Sequence, residues 1–261
     1  MPPELISSAQ NPKVKRLLAL QKDSSLRRES GIFVVEGRRE IERCLASGYM
    51  LDSLFVCPEI CPTTVEAVNP ACKTFHVTGA VYDKVAYRGG TEGVIAEVHA
   101  KWLGLEDLRL PENPLIVVLE SVEKPGNLGA VLRSADAAGA SAVLVCDPLT
   151  DLYNPNLIRA SLGTCFSVPT VACTSAEAIA WLQSLGIQIL TAQLQDSSLY
   201  YDRDMRRGTA IVMGTESTGL SDEWRRAATA HIRIPMLGIA DSLNVSVSAA
   251  ILLFEAVRQR Q

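Results

Sequence analysis

The chain has 261 residues, 48% of them hydrophobic and 21% charged, with a net charge of −4 and a pI near 5.5. That length suits two domains, and that mix suits a globular protein with a sizeable core. There is no apolar run of the roughly 18 residues a membrane span needs and no secretory signal in MPPELISSAQNPKVKRLL, so the expected address is the cytoplasm.

Residues 4–27 read as one helix, with Val14, Leu17, Leu18 and Leu20 near helical spacing. Between Lys13 and Arg28 lie six basic residues against a single acid, Asp23. Such a patch suits either a phosphate backbone or a solvated helix face. The stretch GIFVVEGRREIERCLASG follows: a β-branched strand, a turn at Glu36-Gly37, and a helix over Arg38 to Ala46 closed by Gly48. The runs SLFVC, TFHVT and GVIAEVHA read as strands, and VYDKVAY as a short helix. Alternating β and α over this length predicts a layered domain. A linker covers Lys101 to Pro114, with the boundary placed near 106, giving domains 1–106 and 107–261.

The seven cysteines include Cys57, Cys61 and Cys72, which with His76 read C-x3-C-x10-C-x3-H. That spacing fits no common zinc finger or knuckle, and the cysteines sit at the ends of strand-like runs as small apolar residues. No metal is expected. Cys44, Cys146, Cys165 and Cys173 lie scattered in apolar contexts, as reduced thiols do.

The second half alternates more cleanly. LIVVLE, AVLVCDP, VPTVACT, IQILTAQ, AIVMG and HIRIP read as strands. LGAVLRSADAAGA, NLIRASLGTCF, SAEAIAWLQSLG, SDEWRRAA and SLNVSVSAAILLFEAVRQR read as helices, with Ser221 capping the fourth. This pattern predicts an open parallel α/β sheet with its ligand at the carboxyl ends of the strands. No G-x-G-x-x-G follows a strand, and Gly214 to Ser221 lacks the lysine of a phosphate loop.

Three strand-end loops carry unusual chemistry. In Glu120 to Gly139, Asn127 opens a helix, as its cap or as a ligand, and Arg133 follows about one turn in with a fork of donors suited to phosphate. In Ile211 to Leu220, Gly214 and Gly219 flank Glu216 and let backbone approach a ligand. In Ile234 to Ser248, the cluster Asp241, Ser242, Asn244, Ser246 and Ser248 exceeds what one helix cap requires. Each loop alone also fits a plain connection, a surface arginine or a polar interface helix.

Together the forms N-x-G-x-x-x-R, G-x-E-x-x-G-L and I-P-M…S-L-N-V-S, in this order, resemble the SpoU (TrmH) family of RNA 2′-O-methyltransferases. ISSAQNPKVKRLLAL and IFVVEGRREIERCLASG resemble the N-terminal domain of RlmB-like members. The resemblance implies an α/β fold: a C-terminal trefoil-knot methyltransferase domain and a smaller, ribosomal-protein-like N-terminal RNA-binding domain. It implies S-adenosylmethionine as cofactor, held by Gly214, Ile234, Met236 and Leu243. It implies a catalytic set of Asn127, Arg133, Glu216, Ser242 and Asn244. Because a guanidinium hardly deprotonates, Arg133 is read as a phosphate clamp rather than a base. RNA contacts are expected from Lys13, Lys15, Arg16, Arg27, Arg28 and Arg38, with ribosomal RNA favoured over tRNA, and a homodimer is expected through the knot domain. A non-catalytic RNA-binding member of the fold is the competing reading. Two positions depart from the common pattern: Lys124-Pro125 before the first motif and Ser217 after Glu216. They bear on substrate preference.

Overall fold

The computed structural model describes residues 3–61, 72–87, 92–215 and 218–261. The chain forms two compact units, one of Met1–Lys101 with Tyr153–Ser167, the other of Trp102–Leu152 with Val168–Gln261.

In the first unit the elements run β1 (Glu4–Ile6), α1 (Pro12–Lys22), α2 (Ser24–Ser30), β2 (Ile32–Glu36), α3 (Arg38–Ala46), β3 (Leu51–Val56), β4 (Lys73–Val77), α4 (Gly79–Val85) and β5 (Val94–His99). The sheet order among the described residues is β1-β4-β3-β5-β2, with β5 antiparallel to both its neighbours. Alternation along β2 shows how it is packed: Ile32 and Val34 enter one core with Val14, Leu17 and Tyr82, while Phe33 and Val35 enter another with Ile41 and Cys44.

The single helix expected over 4–27 is corrected to a strand and two helices. Pro12 stands in the first turn of α1, where its missing N–H costs nothing, and the Asn11 side chain accepts from Lys13 N–H at 2.9 Å. Asp23 caps α2 in the same way. Upstream, Glu4–Ile6 pairs in parallel with β4.

The expected domain boundaries also change. The first unit ends at Lys101 rather than near 106, and it reclaims Tyr153–Ser167 from the second half. The cause is aromatic. Phe33 stacks on Tyr153 with ring centroids 4.2 Å apart, and Phe166 sits 5.9 Å from the same ring. The Tyr153 hydroxyl accepts Lys101 N–H at 2.8 Å, and α6 (Pro155–Ala160) buries Leu157 and Ile158.

The second unit contains β6 (Leu115–Glu120), α5 (Pro125–Ala137), β7 (Ala142–Cys146), β8 (Thr170–Cys173), α7 (Ser175–Ser184), β9 (Gln188–Ala192) and β10 (Ser198–Leu199). It continues with β11 (Thr209–Met213), α8 (Asp222–Ala227), β12 (Ala230–Arg233) and α9 (Val245–Arg260). Its strands, ordered β10-β12-β9-β11-β6-β7-β8 among the described residues, are all parallel. β6, β7 and β11 are buried along their whole lengths, as their unbroken apolar sequences predict. No described helix is long and apolar enough to cross a membrane.

At the carboxyl end of β6 the buried Glu120 accepts Ser221 N–H at 2.8 Å, and the Ser175 hydroxyl lies 3.5 Å from its other oxygen. That hydroxyl donates to Asp147 at 2.6 Å and accepts the indole N–H of fully buried Trp224 at 2.9 Å. Ser221 thus begins α8 through its backbone, without the side-chain cap expected of it. Burial pushes the Cys165 thiol up to about 12 and Cys72 up to about 11, so both stay protonated near neutral pH.

Replacing Ser175 by Ala strands the Trp224 N–H and a lone pair of Asp147. Ser175→Ala is expected to lower stability by about 1–3 kcal/mol, measured by urea unfolding with an unchanged slope.

Candidate active site

The site is assembled from the carboxyl ends of parallel strands, where an open α/β sheet places its ligands. After β6 the backbone turns through Ser121 at φ 53°, a left-handed conformation that a non-glycine residue adopts only at some cost. Pro125 then opens α5 three residues earlier than expected for a helix starting at Leu128. Asn127 is therefore inside the first turn and is not its cap. Its Oδ1 accepts from Asn244 Nδ2 at 3.2 Å.

Asn244 does the capping at the other helix. Its Oδ1 accepts Ser246 N–H at 3.0 Å and the Ser246 hydroxyl at 2.6 Å, beginning α9. The Ser242 hydroxyl donates to Asp241 at 3.1 Å in the exposed loop. One asparagine side chain thus fixes the start of α9 and links it to α5.

The turn after β11 lies beside the starts of both helices. Gly219 lies at φ 69° and its N–H donates to Thr215 at 3.0 Å, folding the loop onto itself. A Cβ at Gly214 would collide with the carbonyl of Gly219, so glycine is required there by contact rather than by dihedral angle. Glu216 and Ser217 lie outside the described residues, and so does the catalytic expectation for Glu216.

Two adjoining cavities result. The larger, of about 310 Å³, is lined by Gly214, Ile234, Met236, Ser242 and Leu243, so the structure brings all four expected cofactor residues together with one expected catalytic residue. The smaller, of about 150 Å³, is lined by Lys124 and Asn127 among others. Gly214, Thr215 and Val245 form walls of both. The larger cavity is walled mainly by apolar side chains, which suits a flat heterocycle.

Arg133 is placed differently from expectation. It is exposed, lines neither cavity, and stands more than two turns into α5 rather than one, about 9 Å along the axis from Asn127. Sequence reasoning passed over Gln193, Arg225 and Arg233, which also line the larger cavity. The signal available was position alone: Gln193 directly follows β9, and Arg233 ends β12.

In the first unit, the expected RNA contacts divide. Lys15, Arg16, Arg28 and Arg38 are exposed. Lys13 pairs with Glu4 and stands 4.4 Å from the centre of the Phe75 ring. Arg16 lies 3.5 Å from both Asp52 and Glu97, and Arg38 bonds Glu42 at 2.7 Å. Arg27 is a correction: only 4% exposed, it donates to the Leu20 carbonyl and ties α2 to α1. A guanidinium so enclosed is a structural brace and cannot reach a phosphate backbone. Cys57 and Cys61 belong to cores on opposite faces of the sheet, and no described group of three His, Cys, Asp or Glu residues is placed to hold a metal.

Comparison with known proteins places this geometry. A model of the MRM3-like substrate binding domain matches residues 11–96. The 23S rRNA (guanosine-2'-O-)-methyltransferase RlmB of Pseudomonas putida is 38% identical over 180 residues, covering 66% of this chain and 73% of that protein. A crystal structure of an RNA 2'-O ribose methyltransferase superposes with a TM-score of 0.86 at 42% identity, covering 98% of this chain and 99% of that one. The AdoMet-bound rRNA methyltransferase from Sinorhizobium meliloti gives a TM-score of 0.90 at 31% identity, covering 98% and 97%. With a match to the family's model over residues 114–254, the chain belongs to the SpoU rRNA methylase family.

Proposed function

We propose that this enzyme methylates the ribose 2′-hydroxyl of a nucleotide in ribosomal RNA, a guanosine by analogy with its RlmB relative. The observation that carries the reading is the pair of cavities sharing Gly214, Thr215 and Val245 as common walls. One has the size and apolar lining for the cofactor; the other has the polar groups for a ribose. When bound in the larger cavity, S-adenosylmethionine supplies a methyl group on a sulfonium, an already activated leaving group.

The remaining work belongs to the chain's own residues. Gly214, Ile234, Met236 and Leu243 hold the cofactor and exclude water from it. A ribose hydroxyl is a weak nucleophile near neutral pH and must be aligned and polarised. The Asn127–Asn244 pair sits beside the smaller cavity with amide donors and acceptors fixed by each other and by the α9 cap. Asn127 and Asn244 orient the hydroxyl, Ser242 and Glu216 complete the polar set, and Arg133 clamps the adjacent phosphate from the exposed side of α5.

The exposed stripe on α9 favours a homodimer. Val247 and Phe254 are 46% and 48% exposed, and Ile251 lies between them at helical spacing. A second copy seated there also gives Arg133 a place near a cavity it does not line alone. The exposed cations Lys15, Arg28 and Arg38 give the first unit its RNA-facing charge, and a ribosomal substrate sets the enzyme in the cytoplasm.

Arg133→Ala is expected to reduce single-turnover methyl transfer by at least about 100-fold, with cofactor affinity by calorimetry nearly unchanged; wild-type turnover would remove the residue from the mechanism. RNA affinity should fall with salt, and the combined change Lys15→Ala with Arg28→Ala should flatten the log–log slope by about 0.7 per contact removed. Phe254→Glu should shift the protein from dimer to monomer in analytical ultracentrifugation.

A further inference from the structure

The larger cavity holds polar atoms that neither the motifs nor the family comparison account for. Gln193 lines it from the turn after β9, and its Oε1 is buried without a described hydrogen-bond donor. The amide's orientation is fixed. Gln193 Nε2 donates to the Gln195 carbonyl at 2.9 Å, a group that only accepts, so the amide cannot turn its oxygen that way. The backbone is fixed as well, because Gln193 N–H donates to Ile232 at 2.9 Å, two residues before Ile234. A buried acceptor held in place and left open is costly unless a ligand supplies the donor.

The apolar walls around it, Met213, Leu220 and Leu243 among them, fit the faces of a flat aromatic ring. Arg225 Nε is the complementary case on the same cavity, a buried N–H with no described acceptor. The open acceptor of Gln193 therefore calls for a heterocycle edge that carries a donor. Adenine has such an edge, with its exocyclic amine beside a ring nitrogen.

We propose that Gln193 is the residue that reads the cofactor's base, its Oε1 accepting a hydrogen bond from the exocyclic amine of adenine. This rests on the larger cavity being the S-adenosylmethionine site. Replacing the amine by an oxo group, as in hypoxanthine, would set two acceptors against each other, so Gln193 selects for the adenosyl form by repulsion as well as attraction.

The test is calorimetric binding of S-adenosylhomocysteine and S-inosylhomocysteine to the full chain. Wild type should prefer the adenosyl compound by at least about tenfold, one unpaired buried group being worth that order. Gln193→Leu should weaken adenosyl binding about tenfold and bring the two compounds within about threefold of each other. Gln193→Met, flexible and of similar volume, gives the same reading as Leu if that variant fails to fold. A preference that survives both apolar replacements would overturn the role of Gln193, whereas wild type that binds neither compound would overturn the assignment of the cavity itself.

Discussion

The buried carboxylate of Glu120 is the point on which the second unit's strand ends depend. Its oxygens are buried, and the groups that meet them come from the starts of other elements. Ser221 N–H begins α8, and Ser175, close by, begins α7 while holding Trp224 and Asp147. The acid at the end of LIVVLE is thus a fastener at the level of the strand ends. It sets where the turn after β11 must come down, and so where Gly214 and Gly219 meet.

That meeting divides the space above the sheet. Backbone folded on backbone, with no side chain between, makes a partition thin enough to serve two cavities at once. Asn244 performs a comparable double service, ending the loop from β12, starting α9 and engaging Asn127 of α5. Group transfer requires that donor and acceptor sites adjoin without merging, and on the proposed function these two contacts would supply that arrangement.

Much of this was legible in the residues. The apolar runs β6, β7 and β11 announced a parallel sheet, and three loops with unexplained polar residues announced a site. The exceptions have specific physical causes. Pro12 hid a helix boundary inside a stretch of good helical spacing, and the short strand Glu4–Ile6 has no pattern of its own because it depends on β4 for its hydrogen bonds. Arg27 looked like one more surface cation, yet its partner is a backbone carbonyl that no side-chain sequence displays. Gln193 was silent for a similar reason: its significance lies in what it fails to bond, which appears only when every neighbour has been placed. Threading of the final segment, implied by the family resemblance, is a property of the path and leaves no periodicity in the sequence.

The return of Tyr153–Ser167 to the first unit has a consequence for how this architecture can be rearranged. The polypeptide changes units three times, after Lys101, Leu152 and Ser167. A piece ending at Lys101 would lack Tyr153 and Phe166 and would leave the Phe33 ring facing water where two aromatic partners now cover it. The substrate-binding unit is therefore not a detachable module. Recombination that swaps it at one crossover point exchanges the recognition surface but leaves its aromatic plug behind in the old catalytic half, so such units must diversify by substitution in place or be exchanged at two sites together.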